Sequence, residues 1–311
     1  MTSTLPAGAD VTLVDVSMRD GLQDESVIVQ TSDKVAMAAA LIRAGISSIE
    51  ATSFVHPKWV PQLADADELT YLLPKGPRYS ALVLNMRGWH RAAAAFDRAD
   101  FARGSYDLVF VTSASERHAK SNNNSTIDET LSAFDDIAAA SRAAGISLRA
   151  TIACAFVSPW PDEVIAADRV ASIAARFAGG GVRTITLADT VGRADPFVVA
   201  RQISETRSAA PAATLGLHLH DSLGYGIANV HAGLQLGIRT FEGALAGLGG
   251  CPFAPGAPGN QDIVALAEFV EACGFTTNVD KAALIEASDC IRRILENTAI
   301  FQGDRDLATS S

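Results

Sequence analysis

Short runs rich in β-branched residues alternate along this chain with longer alanine-rich runs whose apolar positions recur at helical spacing. The short runs predict strands over 11–17 (VTLVDVS), 47–54 (SSIEATSF), 79–85 (YSALVLN), 106–113 (YDLVFVTS), 146–155 (ISLRATIACA), 182–189 (VRTITLAD), 214–220 (TLGLHLH) and 239–247 (RTFEGALAG). The long runs predict helices near 33–44, 61–73, 88–98, 127–143, 163–178, 196–208, 224–236 and 260–272, with a ninth near 279–298.

Punctuation agrees with this pattern. Gly45, Gly145, Gly181 and Gly237 each fall between a predicted helix and the next predicted strand, where a helix ends best on a residue with positive φ. Ser32 stands as an N-cap before the run beginning at Asp33. Strands that alternate with helices pair in parallel through right-handed crossovers. Eight such units in about 260 residues predict an α/β fold of the (β/α)8 TIM-barrel type, with the barrel over about 11–272 and an additional C-terminal helix. An open Rossmann-like sheet would want GxGxxG after the first strand, and RDGLQD stands there instead. No linker or low-complexity tract divides the chain, so one catalytic domain over 1–311 is expected.

Composition narrows the function classes. The chain has 311 residues, 48% of them hydrophobic, enough for a large core. Its formal net charge is −10 and it has no basic run, which argues against nucleic acid or an anionic membrane as partner. No stretch approaches the roughly 20 consecutive apolar residues of a membrane span. The opening MTSTLPAGADVTLVDVS lacks a charged-then-apolar leader pattern, so a soluble cytoplasmic protein is expected. A homo-oligomer is compatible with all of this. The four cysteines match no zinc spacing and are expected to be reduced. Cys154, Cys273 and Cys290 sit in apolar contexts that suggest buried packing. Cys251 differs: it lies within GLGGCPFAPGAPGN (247–260), which holds five glycines and three prolines.

A TIM barrel keeps its chemistry at the C-terminal ends of its strands. Those ends carry Arg19 and Asp20 after strand one, Glu50 on strand two, Asn85 at strand three, Asp189 at strand six, and His218 and His220 at strand seven. Strand eight feeds the loop that holds Cys251 and ends at Asn260. The H-x-H pair is the sharpest local signal. Alternate strand residues face the same way, so His218 and His220 project together while Leu219 faces the helices. Two imidazoles and a carboxylate suit a divalent cation with open positions. Asp20 is the natural carboxylate, and Asn260 offers an amide oxygen. A plain hydrogen-bonding role at a strand end is the competing reading of the histidines. Arg19 is a fixed cation for a developing oxyanion, or else half of a surface ion pair. Glu50 and Asp189 read as acids that orient Arg19 or the histidines. His56, His90, His118 and His231 lack such a setting and read as surface or supporting residues.

VSMRDGLQDE (16–25), SIEATSFVHPKWVPQLAD (48–65), LADTVG (187–192), LHLHDSLGYGIAN (217–229) and LAGLGGCPFAPGAPGN (245–260) together resemble the hydroxymethylglutaryl-CoA lyase family, in order and over nearly the whole chain. The resemblance implies cleavage of 3-hydroxy-3-methylglutaryl-CoA, a CoA thioester, to acetyl-CoA and acetoacetate. It implies Mg²⁺ or Mn²⁺ held by Asp20, His218, His220 and Asn260. It also implies an essential Arg19 and a proton-transferring Cys251 on a mobile loop. The expected catalytic set is thus Arg19, Asp20, Glu50, His218 and Cys251, with Gln23, Asn85 and Asp189 as supporting or substrate-side residues. Departures from the family's usual wording fall at Met18, Asp24, Ser26, His56 and Pro258, and none removes an expected ligand. They bear on the acyl group more than on the reaction type. A lyase for another 3-hydroxyacyl-CoA, a Claisen-type acyltransferase and a non-catalytic barrel are the competing readings.

Overall fold

The computed structural model describes residues 10–250 and 259–309. The eight expected strands close into one all-parallel barrel in chain order: β1 (Thr12–Asp15), β2 (Ser48–Ser53), β3 (Arg78–Val83), β4 (Asp107–Ser113), β5 (Ser147–Ala153), β6 (Thr184–Asp189), β7 (Thr214–Leu219) and β8 (Thr240–Gly243). The ring shuts where β8 pairs with β1, Thr12 to Thr240 and Asp15 to Gly243. The helices around it are α1 (Thr31–Arg43), α2 (Ala66–Leu72), α3 (Met86–Arg98), α4 (Glu116–Asn123), α5 (Ile127–Ala144), α6 (Ala167–Gly179), α7 (Pro196–Ala209), α8 (Gly226–Gln235), α9 (Ile263–Ala272) and α10 (Lys281–Thr309). None of the helices among the described residues is long and apolar enough to cross a membrane.

A strand enclosed by helices outside and side chains inside is buried on both faces, so its polar residues are buried along with its apolar ones. Every residue of β2 is buried. Between barrel and helices lies an aromatic layer: Phe110 of β4 packs on Phe134 of α5 and Phe177 of α6, and those two rings meet at 4.6 Å. Local chemistry sets the ends. Thr126 and Glu129 form a reciprocal capping box at the start of α5, and Gly145 ends it at φ +67. Gly45, Gly181 and Gly237 are also at positive φ, as their places in the sequence predict.

Several expectations need correction. Ser32 is not the N-cap of α1. The helix begins two residues earlier, at Thr31 after Gln30, and Thr31 donates its hydroxyl to Asp65 across the β1–α1 and β2–α2 connections. Strand three stops at Val83, because Asn85 accepts from Gly88 N and caps α3. Strand eight stops at Gly243 and a 3-10 turn, Leu245–Gly247, follows with Ala246 at φ +57. The polar helix α4 (ERHAKSNN) escapes a reading based on apolar periodicity because it has almost no apolar positions. It buries His118, which therefore is not a surface residue; burial pushes its pKa down to about 4. Cys154 is buried as expected, whereas Cys273 and Cys290 are only half-buried.

Candidate active site

β1 runs directly into a π-helical turn, Ser17–Gly21, in which the amides of Arg19, Asp20 and Gly21 all point at the Val16 carbonyl. Such widened turns occur frequently at functional sites. The turn is anchored by Asp15, whose carboxyl accepts from Ser17 N at 3.1 Å and from Ser17 Oγ at 2.7 Å. Ser17 Oγ in turn accepts from Leu245 N at 2.6 Å, tying this turn to the chain just past β8. Complete burial pushes the Asp15 pKa up to about 7.

The turn aims Arg19 and Asp20 into the mouth of the barrel. Arg19 Nε donates to Glu50 Oε1 and Nη1 to Asp20 Oδ1, both at 2.5 Å. Nη2 makes no hydrogen bond to any described residue. Burial works against the Arg19 charge, but Glu50 and Asp20 outweigh it and hold the guanidinium firmly protonated. Burial likewise opposes the Asp20 charge, yet Arg19 and then the two histidines hold its carboxyl well below the usual range. Glu50 goes the other way: burial raises its pKa and Arg19 offsets only part of that.

His218 and His220 sit at the end of β7 with their Nε2 atoms 3.1 Å apart. Asp20 Oδ2 lies 3.8 Å from one and 3.9 Å from the other. Ligand atoms of these three residues all fall within 4.8 Å of one another, a group that could hold one metal ion. Asn260 closes the ring of donors. Its Nδ2 donates to Asp20 Oδ2 and to Leu248 O, while its Oδ1 is buried and accepts from no described residue. A buried acceptor left without a donor is costly, and a cation satisfies it. The charges agree: Asp20 and Glu242 are both held below the usual carboxylate range against burial. Burial opposes protonation of His218, but Glu242 and Asp20 overcome it and raise its pKa. Two imidazoles, a carboxylate and a carboxamide oxygen are donors that a divalent ion takes, so the donor set fits one.

The glycine-rich segment enters and leaves at this point. Gly249, at φ +100, lies where a Cβ would come within 2.6 Å of Asn260 Nδ2. A Cβ on Gly259 would collide with the Gly249 carbonyl. Two glycines therefore let the two ends of the segment cross beside the Asn260 side chain. Cys251 lies outside the described residues.

The remaining expected residues are more scattered. Asp189 is buried at the end of β6, where Oδ2 accepts from Ala194 N and burial raises its pKa. It shapes the β6–α7 connection next to His220, whose amide it also receives at its backbone oxygen. Gln23 is half-buried just past the π-helical turn. Asn85 is exposed, and its side-chain oxygen serves as the α3 cap, with no hydrogen bond to Arg19, Asp20 or the histidines. Glu242 on β8 was not anticipated. Its Oε2 lies 3.0 Å from His218 Nδ1, and the two residues are Cα partners across the β7–β8 ladder, so they share a face. The signal was present: RTFEGALAG, a predicted barrel strand, carries a single acid.

A family model, HMGL-like, matches residues 10–291. The chain belongs to the HMGL-like family. It is 37% identical over 287 residues to human mitochondrial hydroxymethylglutaryl-CoA lyase, covering 92% of this chain and 86% of that one. The HMG-CoA lyase of Brucella melitensis superposes with a TM-score of 0.87 at 38% identity, over 93% of this chain and all of that one. An HMG-CoA lyase from Acinetobacter baumannii, solved with coenzyme A and 3-methylmalate, gives 0.85 at 35% identity, over 92% of each chain. The HMGL-like barrel and its C-terminal helix are thus those expected from the sequence.

Proposed function

We propose that this chain is a divalent-metal-dependent lyase that cleaves 3-hydroxy-3-methylglutaryl-CoA to acetyl-CoA and acetoacetate. The observation that carries the reading is the convergence of Asp20, His218 and His220 at one barrel mouth beside a buried Asn260 Oδ1 that accepts from no described residue, in a chain of the HMGL-like family. Asp20, His218, His220 and Asn260 would hold Mg²⁺ or Mn²⁺. When bound, such an ion lowers the cost of deprotonating a hydroxyl and fixes the neighbouring carboxylate.

The chain's own residues supply the rest. Cleavage takes the proton from the tertiary hydroxyl, turns that carbon into the ketone of acetoacetate, and breaks its bond to the methylene next to the thioester. The electron pair of that bond passes to the thioester as an enolate. Arg19, fixed by Glu50 and Asp20, has Nη2 available for the enolate oxygen. The enolate carbon then takes a proton from the Cys251 thiol, and the proton released by the hydroxyl restores that thiol, so none is gained or lost overall; a free thiol, with a pKa of roughly 8.5, exchanges a proton near neutrality.

The deciding experiment offers the purified protein hydroxymethylglutaryl-CoA with Mg²⁺ or Mn²⁺ and measures acetoacetate. Metal-dependent acetoacetate supports the reading. Turnover only of a bulkier 3-hydroxyacyl-CoA would move the substrate, and no turnover of any would end the lyase reading.

A further inference from the structure

Arg149 is the one charged residue on β5. It is buried, and it plays no part in the chemistry above. In the ladder it pairs with Thr184, which pairs with Thr214 at the start of β7, so it springs from below the level of His218. From there its side chain crosses the barrel interior, past β6 and β7, to reach β8. Its Nη2 lies 3.2 Å from Glu242 Oε1. Thr186 Oγ1, on β6, donates to the same oxygen at 2.9 Å. The other oxygen, Oε2, faces His218 Nδ1 at 3.0 Å.

Glu242 is therefore held by one oxygen and holds with the other. The terminal torsion of a glutamate is broad and poorly set by its own rotamer. Two donors on Oε1, from two different strands, remove that freedom and fix the plane in which Oε2 presents its lone pairs. An ionised carboxylate only accepts, so it selects the tautomer of His218 with hydrogen on Nδ1 and a lone pair on Nε2. Nε2 is the atom that converges with His220 Nε2 and Asp20 Oδ2. Space is reserved for this arrangement: on β7, Gly216 leaves open the place where a Cβ would stand 3.2 Å from Thr186 Oγ1.

The geometry points to Arg149 as a positioning residue that, through Glu242, sets the tautomer and ring orientation of His218 for the divalent ion. It touches neither ion nor substrate. This rests on the metal-site reading above but not on the identity of the acyl group.

The test is a Mn²⁺ titration of the full-length protein after stripping with chelator, read by the electron paramagnetic resonance of free Mn²⁺. Arg149→Met is expected to bind Mn²⁺ about 10- to 100-fold more weakly than the wild type, the usual effect of losing a group that orients a metal-binding histidine. Arg149→Lys, which keeps a cation in reach of Glu242, restores most of that loss. Nitrogen NMR of the imidazoles reads the tautomer directly: His218 carries its hydrogen on Nδ1 in the wild type and becomes mixed in Arg149→Met. At saturating Mn²⁺, kcat of Arg149→Met returns towards the wild-type value with KM for the acyl-CoA unchanged. A folded Arg149→Met that binds Mn²⁺ like the wild type reduces Arg149 to a core ion pair and overturns the proposal. Should Arg149→Met not fold, Thr186→Val, which removes the other donor to Oε1, decides: a several-fold weaker Mn²⁺ affinity supports the proposal and an unchanged one overturns it. A wild type that binds no Mn²⁺ overturns it together with the metal site. A wild type that binds Mn²⁺ but leaves hydroxymethylglutaryl-CoA intact overturns only the substrate assignment.

Discussion

Asn260 and Asp20, 240 residues apart in the chain, meet at the barrel mouth with Asn260 Nδ2 donating to Asp20 Oδ2 at 3.0 Å. The bond turns the carboxamide so that Oδ1 is buried with no donor among the described residues. Binding of an ion to the native state alone stabilises it, by about 2.7 kcal/mol at a concentration 100-fold above the dissociation constant. Mn²⁺ should therefore raise the melting temperature of chelator-stripped protein. Asp20→Asn and His220→Ala should abolish the rise, and Asn260→Ala should reduce it. An equal rise in all four proteins would place the ion elsewhere.

Arg19 spends Nε on Glu50 and Nη1 on Asp20, and Nη2 has no hydrogen-bond partner among the described residues. A lysine ammonium has no planar fork with which to meet three partners at once. Arg19→Lys should lower kcat by about 10²- to 10³-fold, the usual effect of losing an oxyanion donor, while Mn²⁺ still binds. Steady-state kinetics at saturating metal measure this; a kcat within a few-fold of the wild type refutes the assignment.

Cys251→Ala should cut turnover by 10²-fold or more, the scale of a lost general acid, and leave Mn²⁺ affinity unchanged. Near-normal acetoacetate production from this variant would require another proton donor.

Asp15 makes folding sensitive to pH. Its pKa rises from 3.8 to about 7 on folding, so between those values the native state keeps a proton that the unfolded chain has released. Stability contributed at this site is full below the lower value and falls as pH rises through the window, by about 4 kcal/mol in all. Asp15→Asn has no proton to lose. It gives up the Ser17 hydroxyl bond, a cost independent of pH, and its stability should overtake that of the wild type as pH rises. Urea denaturation from pH 4 to 8 tests this, and parallel curves for the two proteins would disprove it.

Much of the site was legible because it lies where chain order predicts it. Arg19 and Asp20 follow β1, the H-x-H pair closes β7, and strand parity alone turns both imidazoles the same way. Glu50 was legible as an acid that orients Arg19, and it does hold Nε. Asn85 misled because its strand looked two residues longer; a capping bond to Gly88 N draws it into α3 instead. Ser32 misled because a serine before an apolar run is a good N-cap in isolation, but Thr31 has a partner in Asp65 from the next βα connection.

The repeating pattern of apolar strands, amphipathic helices and helix-ending glycines by itself determined a parallel α/β fold, and eight such units with no GxGxxG after the first strand favoured the closed barrel over an open sheet. The acids and histidines at the strand ends marked where the candidate site would gather. Only the tertiary structure decided which polar groups meet. Barrel closure brings β8 against β1, and only closure joins Leu245 to Ser17 and Asn260 to Asp20, while the register of the β7–β8 ladder sets Glu242 beside His218. Arg149 depends on it most, since the partner of its guanidinium lies three strands away across the interior. Local pattern reports which face a residue occupies; the distance across a closed ring is set by the ring as a whole.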